Sequence, residues 1–111
     1  MPNDMKVKLV PIKLDKKRNL FYDLNALEIL EDIYGDLGTA FDSLGYKKKV
    51  KNIKNFLYAG LLHEDPELTI EKISKMVGYH GYLNASHKIL EAVMGSLPED
   101  NEESSDESLG E

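Results

Sequence analysis

The chain has 111 residues, 41% of them apolar, and a formal net charge of −6. This length suits about one domain with one modest core. The absence of cysteine excludes disulfides, thiolate metal ligands and cysteine nucleophiles. No apolar run approaches the ~18 residues that a membrane span needs, and the N-terminus lacks the apolar stretch of a signal peptide. We therefore expect a small soluble protein of the cytosol.

The negative charge is concentrated at the C-terminus. Residues 98–111, PEDNEESSDESLGE, carry seven acids and no base, which leaves 13 acids and 14 bases in residues 1–97. Such a segment has too little apolar surface to offset the entropy of ordering. We expect one folded domain over 1–97 and a disordered acidic tail over 98–111. The tail could solubilise the protein, act as an interaction arm or join it to a longer extension.

The first 23 residues have the pattern of a β-hairpin. Residues 5–9, MKVKL, alternate apolar and basic side chains, which is the period of a half-buried strand. Pro11 donates no ladder hydrogen bond, so an edge or bulged strand is expected. DKKRN suits a turn and LFY a return strand, which gives a hairpin over about residues 5–23. Its inner face should carry Met5, Val7, Leu9, Ile12 and Leu14.

From residue 24 onward apolar residues repeat at helical spacing. The first helix should begin at a cap formed by Asp23 or Asn25 and end at Gly35. Its inner stripe should consist of Leu24, Leu27, Leu30 and Ile33, with Ala26 and Ile29 alongside. GDLGTAFDSLG, residues 35–45, is compatible with a short second helix that turns Leu37, Phe41 and Leu44 inward.

Three further helices are predicted. The third lies within residues 47–67 and should be the central helix of the core, closed by Pro66. Its broad apolar face should carry Val50, Ile53, Phe56, Leu57, Gly60 and Leu61. The fourth should start at the cap Thr69 and end at Gly78, with Ile70, Ile73, Met76 and Val77 inward. The fifth should run from about Tyr82 to Leu97. Its expected inner residues are Leu83, Ile89, Leu90, Val93, Met94 and Leu97. The predicted fold class is mainly α: four to five helices with a short N-terminal β-hairpin and a disordered acidic tail.

No catalytic constellation is recognisable. His63, His80 and His87 do not have the spacing of a metal-binding motif. The glycine pairs GDLG and GYHG lack the lysine and hydroxyl of a phosphate-binding loop. No two acids can be assigned to one cleft. We therefore predict no enzyme, no catalytic residue, no metal and no cofactor.

A DNA-binding interpretation is the alternative. ISKMVGYHGYLNASHKIL, residues 73–90, resembles the DNA-reading half of AraC-type regulators, and residues 47–54 form a basic cluster. In this interpretation the recognition helix carries the polar residues Asn84, Ser86, His87 and Lys88. It contains no arginine, the residue that most often makes specific contacts to guanine. Because residues 1–97 are also nearly neutral, no nucleic-acid partner is expected.

A second resemblance spans about residues 5–98. LFYDLNALEILEDIYGD, FLYAGLLHEDPELTIEKISKMV and KILEAVMGSLPE resemble, in their order and spacing, the tail assembly chaperones of long-tailed bacteriophages and prophages, in particular the type related to gene transfer agents. The matching fragments are LNALE at 24–28, YAGLL at 58–62, LTIE at 68–71 and EAV at 91–93.

This resemblance implies a non-enzymatic function. Such chaperones bind the long tape-measure protein in the bacterial host cytoplasm, keep it from aggregating and help the tail-tube protein polymerise around it. They are absent from the mature virion. In many phages a ribosomal frameshift near the end of the gene adds a C-terminal extension, and the segment after Pro98 lies where such a junction would be expected. A homo-oligomer is compatible with this function.

A chaperone of this kind needs adaptable apolar surface. Amphipathic helices of the tape-measure protein could dock in a groove of the chaperone. Aromatic and methionine side chains beyond the needs of one core stripe are the candidates for that contact, although a domain this small uses most of its large apolar side chains in the core. The predicted partner-binding residues are Phe56, Tyr58, Leu62, Met76, Tyr79, Tyr82 and Met94.

Overall fold

The computed structural model describes residues 8–45 and 49–96, and all structural statements below concern these ranges. They form a two-stranded antiparallel hairpin followed by five helices, which confirms the predicted fold class. The elements are β1 (Val10–Lys13), β2 (Lys17–Leu20), α1 (Leu24–Tyr34), α2 (Leu37–Asp42), α3 (Val50–Leu61), α4 (Ile70–Met76) and α5 (Tyr79–Ser96). The predicted inner positions Met5, Val7 and Leu97 and the acidic tail lie outside the described ranges. No described helix is long and apolar enough to cross a membrane.

The hairpin buries Ile12 as predicted and packs Leu14 against the core, but it differs from the prediction before Pro11. Val10 pairs with Leu20 and Ile12 with Arg18, and these four side chains are buried. Leu9 is exposed, so its predicted inward position is wrong. Because strand side chains alternate, burial of Ile12 also turns Val10 inward and Leu9 outward. The return strand also begins earlier than LFY, at Lys17.

Helix α1 has the predicted ends and buries only part of the predicted stripe. The Asp23 carboxylate accepts a hydrogen bond from the Ala26 N–H at 3.0 Å, and Gly35 ends the helix at φ 95°. Ala26 and Leu30 are the buried residues, whereas Leu24 is 82% exposed and Ile33 is also exposed. The predicted inward positions of Leu24 and Ile33 are therefore wrong. The small Ala26 faces the core. A larger side chain at this position would keep α1 further from the core.

Helix α3 is central, as predicted, and packs against α1, α4, α5 and β2. Ile53, Phe56, Leu57 and Leu61 are almost completely buried, while Val50 at its start is 55% exposed. The helix ends at Leu61, well before Pro66, and residues 62–64 form a turn.

The loop after β2 is fixed to α3 through a tyrosine. The hydroxyl of the fully buried Tyr22 donates a 2.5 Å hydrogen bond to the Phe56 carbonyl, and the Phe21 N–H donates to the Gly60 carbonyl at 3.0 Å. Burial raises the pKa of Tyr22 well above its usual range, so the hydroxyl stays protonated and can donate. Two hydrogen bonds thus join this loop to the C-terminal half of α3.

Helices α4 and α5 meet at a short corner. The Thr69 hydroxyl accepts from the Lys72 N–H at 3.1 Å, as expected of the cap of α4. Val77 adopts an extended conformation, and α5 then starts at Tyr79, earlier than the predicted Tyr82. Gly81 therefore lies inside the helix and not in the turn.

The buried face of α5 is also shifted. Ala85, Ile89, Ala92 and Val93 are buried, whereas Leu83 and Met94 are exposed, contrary to prediction. The alanines allow α5 to approach α3 and the hairpin closely, so the buried stripe follows small residues and not only large ones.

Candidate functional site

A groove lies between α3, α4 and the first turn of α5. It has a volume of about 130 Å³. Its lining is mostly apolar and consists of Val50, Ile53, Lys54, Leu57, Ile73, Ser74, Val77 and Tyr82. Ile53, Leu57 and Ile73 are buried and belong to the core. Val50, Val77 and Tyr82 retain exposed surface, and Lys54 supplies the only charge among the lining residues.

Aromatic side chains flank this groove at the start of α5. The Tyr79 ring is stacked on Tyr82, with 6.1 Å between ring centroids and 28° between the ring planes. Tyr79 is also close to His80, at 6.2 Å between centroids, and remains 71% exposed. The corner at Val77 and Gly78 places these rings there, because it restarts the helix at Tyr79. A large exposed aromatic beside an apolar groove is typical of a protein-binding surface.

The predicted partner-binding residues do not form one patch. Phe56 is fully buried, with its ring centroid 6.1 Å from those of Tyr22 and Tyr34, so its predicted place on an accessible surface is wrong. Phe56 faces the elements packed around α3, whereas Lys54 and Tyr58 on the same helix keep part of their surface exposed. Tyr82 lines the groove and Tyr79 stacks on it, so these two are brought together.

The other predicted residues lie elsewhere. Tyr58 and Met76 are half-buried against the core. Leu62 lines a separate cavity of about 200 Å³ between α1 and the end of α3. Met94 is 64% exposed on α5 and does not line the groove.

Sequence reasoning missed two groove residues with accessible surface. Val50 had been assigned to the inner stripe of α3, and Val77 to that of α4. Val50 is the first residue of α3 and Val77 follows the last residue of α4. A residue at a helix end has helical neighbours on one side only. Its side chain can therefore stay exposed even when it lies on the same helix face as the buried residues.

The titratable groups near the hairpin pair within the hairpin and with the segment that follows α3. Arg18 is 5% exposed, and its guanidinium donates two hydrogen bonds to Asp15, at 2.8 and 2.9 Å, and one to Asp65 at 3.4 Å. The Arg18 hydrogen bond lowers the pKa of Asp15 to about 2. A buried guanidinium needs such partners because burial of an unpaired charge is unfavourable. Sequence reasoning had placed this arginine in a polar turn.

His63 is part of the same junction. Its Nε2 is 2.7 Å from the Asn19 carbonyl oxygen, which can only accept, so Nε2 carries the proton. Asn19 in turn donates from its backbone N and from Nδ2 to the Glu64 carboxylate, at 3.0 and 2.8 Å. Burial acts to raise the pKa of Glu64, but the two Asn19 hydrogen bonds together with nearby positive charge outweigh it and lower the pKa. His80 and His87 are exposed. Within residues 8–45 and 49–96 no three His, Asp or Glu side chains are grouped so that they could hold a metal ion.

Two polar residues that the DNA-binding interpretation places on the recognition helix lie beside the hairpin. Asn84 and Lys88 line a depression shared with β1 and β2, so the hairpin stands beside this face of α5. In the basic cluster, Lys49 and Lys51 are exposed and Lys54 is half-buried, whereas Lys47 and Lys48 lie outside the described ranges.

Comparison of the chain with protein-family models, with curated proteins and with solved structures gives no significant match.

Proposed function

We propose that this protein is a non-enzymatic tail assembly chaperone of a long-tailed phage or prophage. In this proposal it binds the tape-measure protein in the host cytoplasm, keeps it soluble and promotes polymerisation of the tail-tube protein around it. The chaperone leaves before the virion is complete. The proposal rests on the sequence resemblance over residues 5–98, and one structural observation supports it: a stacked, exposed Tyr79 beside an apolar groove.

The mostly apolar lining of the groove suits side chains from one face of an amphipathic helix. Val50, Val77 and Tyr82 offer apolar contacts to one face of such a helix, and Tyr79 can close over its side. Lys54 lies in the groove, and the exposed Lys49 and Lys51 are near it in the chain. These cations favour a helix with acidic residues on its polar face, because charge complementarity orients the partner and speeds encounter.

The proposal can be tested with the tape-measure and tail-tube proteins of the same phage. Co-expression with the chaperone should keep the tape-measure protein in the supernatant, and the two should co-purify. Tyr79→Ser should weaken the complex by roughly 30-fold, as expected when an exposed aromatic anchor that contributes about 2 kcal/mol is removed. Val50→Ser should weaken it less, because valine buries a smaller area.

A matched control is available at the start of α1. Leu24, like Val50, is a large aliphatic residue at the first position of a helix, and it is 82% exposed. Leu24→Ser should leave binding unchanged. If the tape-measure protein aggregates equally with and without the chaperone, the proposal is wrong. Salt-dependent binding to duplex DNA that is lost on Lys88→Ala would instead favour the DNA-binding regulator.

A further inference from the structure

A second depression lies between the hairpin and α5 and has a basic lining. Its volume is about 500 Å³. Pro11 and Ile12 of β1 form its apolar part. Its polar residues are Lys13 and Lys17 from the hairpin and Asn84 and Lys88 from α5. We call this depression the basic groove.

The lysines of the basic groove outnumber the acids that pair with them in the described residues. Lys13 and Lys17 face each other across the hairpin, and like charges in that position repel. In the described part of the chain neither forms an ion pair. Lys88 is 3.9 Å from Glu91, but the same carboxylate is also 3.5 Å from Lys8. Glu91 is therefore shared by Lys8 and Lys88, and Lys13 and Lys17 have no ion-pair partner among the described residues.

This chain contains a segment of opposite charge within reach. Residues 98–111 carry seven acids and no base, and they begin two residues after Ser96, the last residue of α5. Lys88 lies about 12 Å and Asn84 about 18 Å along the helix from Ser96, at 1.5 Å per residue. The chain after Ser96 can extend about 50 Å at 3.3 Å per residue, so its acids can reach every lysine of the basic groove.

We propose that residues 98–111 of this chain occupy the basic groove, with their carboxylates beside Lys13, Lys17 and Lys88. Each surface ion pair is weak, but several act together, and attachment to α5 keeps the acidic segment at high local concentration. The contact shields the basic groove from other polyanions, including nucleic acid. This inference does not depend on the proposed chaperone function, which uses the separate groove beside Tyr79.

The absence of cysteine permits a direct test in the full-length protein. A nitroxide attached through Ser105→Cys should broaden amide signals near it in a heteronuclear NMR spectrum. We expect the amides of Lys13, Lys17 and Asn84 to lose most of their intensity, and those of Lys49 and Lys51 to keep theirs. At about 1 M salt, where the Debye length is ~3 Å, the effect should disappear.

Two variants of the labelled protein test the charges involved. Lys13→Glu combined with Lys17→Glu should abolish the broadening, whereas Lys49→Glu combined with Lys51→Glu, an equal change of charge on exposed residues of α3 and its cap, should not. All four lysines are exposed, so the fold should persist. Replacing the seven acids by their amides should also abolish the broadening.

Three outcomes would overturn the proposal. The first is uniform broadening over the surface, and the second is broadening centred on Lys49 and Lys51. The third comes from mixing isotope-labelled protein without a nitroxide with nitroxide-labelled protein. Broadening of the isotope-labelled signals in this mixture would assign the contact to a second copy of the chain.

Discussion

The ring of Tyr22 lies so close to Gly60 that a Cβ atom at residue 60 would be 2.7 Å from Cζ of the tyrosine and 2.8 Å from its hydroxyl oxygen. The same atom would be 3.0 Å from Cδ2 of Leu20. Both side chains are fully buried, and the Tyr22 hydroxyl is held by the Phe56 carbonyl. Neither can move aside without disturbing the packing between the hairpin and α3.

We therefore expect Gly60→Ala to destabilise the protein. Alanine favours the helix by about 1 kcal/mol relative to glycine, but crowding a packed core costs about 1–3 kcal/mol, and here three contacts are violated at once. The net loss should be seen as a lower midpoint of urea unfolding. Gly78→Ala is the control, because a Cβ there has nothing within 4 Å. Equal stability of the two variants would contradict the packing described for Tyr22.

Two leucines of α1 should differ sharply when truncated. Leu30 is fully buried and Leu24 is 82% exposed. Leu30→Ala should lower the free energy of unfolding by about 2–5 kcal/mol, because it leaves a cavity in the core. Leu24→Ala should change it by less than about 0.5 kcal/mol. Similar losses at the two positions, measured by urea unfolding, would show that α1 is rotated about its axis relative to the present structure.

A small polar network should make Tyr34 sensitive to loss of its hydroxyl. This hydroxyl donates to Oδ1 of Asn52 at 2.6 Å and accepts from Nδ2 of Asn55, a buried residue, at 3.1 Å. Tyr34→Phe leaves the Asn55 amide without this partner, and we expect a loss of about 1–3 kcal/mol in thermal or urea unfolding. Tyr79→Phe removes a hydroxyl from an exposed side chain and should be nearly neutral. If both variants unfold like the parent, the network does not contribute to stability.

The ion pair between Asp15 and Arg18 should make stability fall in acid. Because the pKa of Asp15 is lowered from 3.8 to about 2, the unfolded chain takes up a proton before the folded protein does. The stabilisation is therefore complete above about pH 4 and is lost as the pH falls toward about 2. In urea unfolding measured between about pH 4 and about pH 2, the Asp15→Asn variant should lose less stability on acidification than the parent protein.

Some acid dependence should remain in Asp15→Asn, since the Asn19 hydrogen bonds also lower the pKa of Glu64 and the Thr39 N–H lowers that of Asp36. Asp32→Asn serves as the control, because Asp32 is exposed and has no ion pair in the described ranges. An unchanged pH profile for Asp15→Asn would contradict the assigned pair.

The local sequence was sufficient to predict the hairpin, the helices and several of their ends. Asp23, Gly35 and Thr69 act as predicted, because capping depends on atoms within a few residues. The helix faces were less predictable. Size predicts Leu24, Leu83 and Met94 inward, but they are exposed, whereas the small residues Ala26, Ala85 and Ala92 are buried. Which face a helix buries depends on how closely its neighbours approach, and that distance is a property of the tertiary structure.

The candidate sites were predictable to a lesser degree. Tyr79 and Tyr82 could be selected from the sequence because they are large aromatics next to a helix break. The groove beside them combines three helices and required the structure. The basic groove could not be found at all from the sequence, since Lys13, Lys17 and Lys88 are brought together only by the packing of α5 on the hairpin.

The position of the hairpin also has a consequence for how the chain folds during synthesis. Its inner residues Val10, Ile12 and Leu20 are buried against α3 and α5, and α5 is the last described helix. Contacts between early and late segments close slowly and require nearly the whole chain to have left the ribosome. Until α5 emerges, the apolar face of the hairpin is uncovered, so ribosome-bound chains that end before Tyr79 should be the species most prone to aggregate.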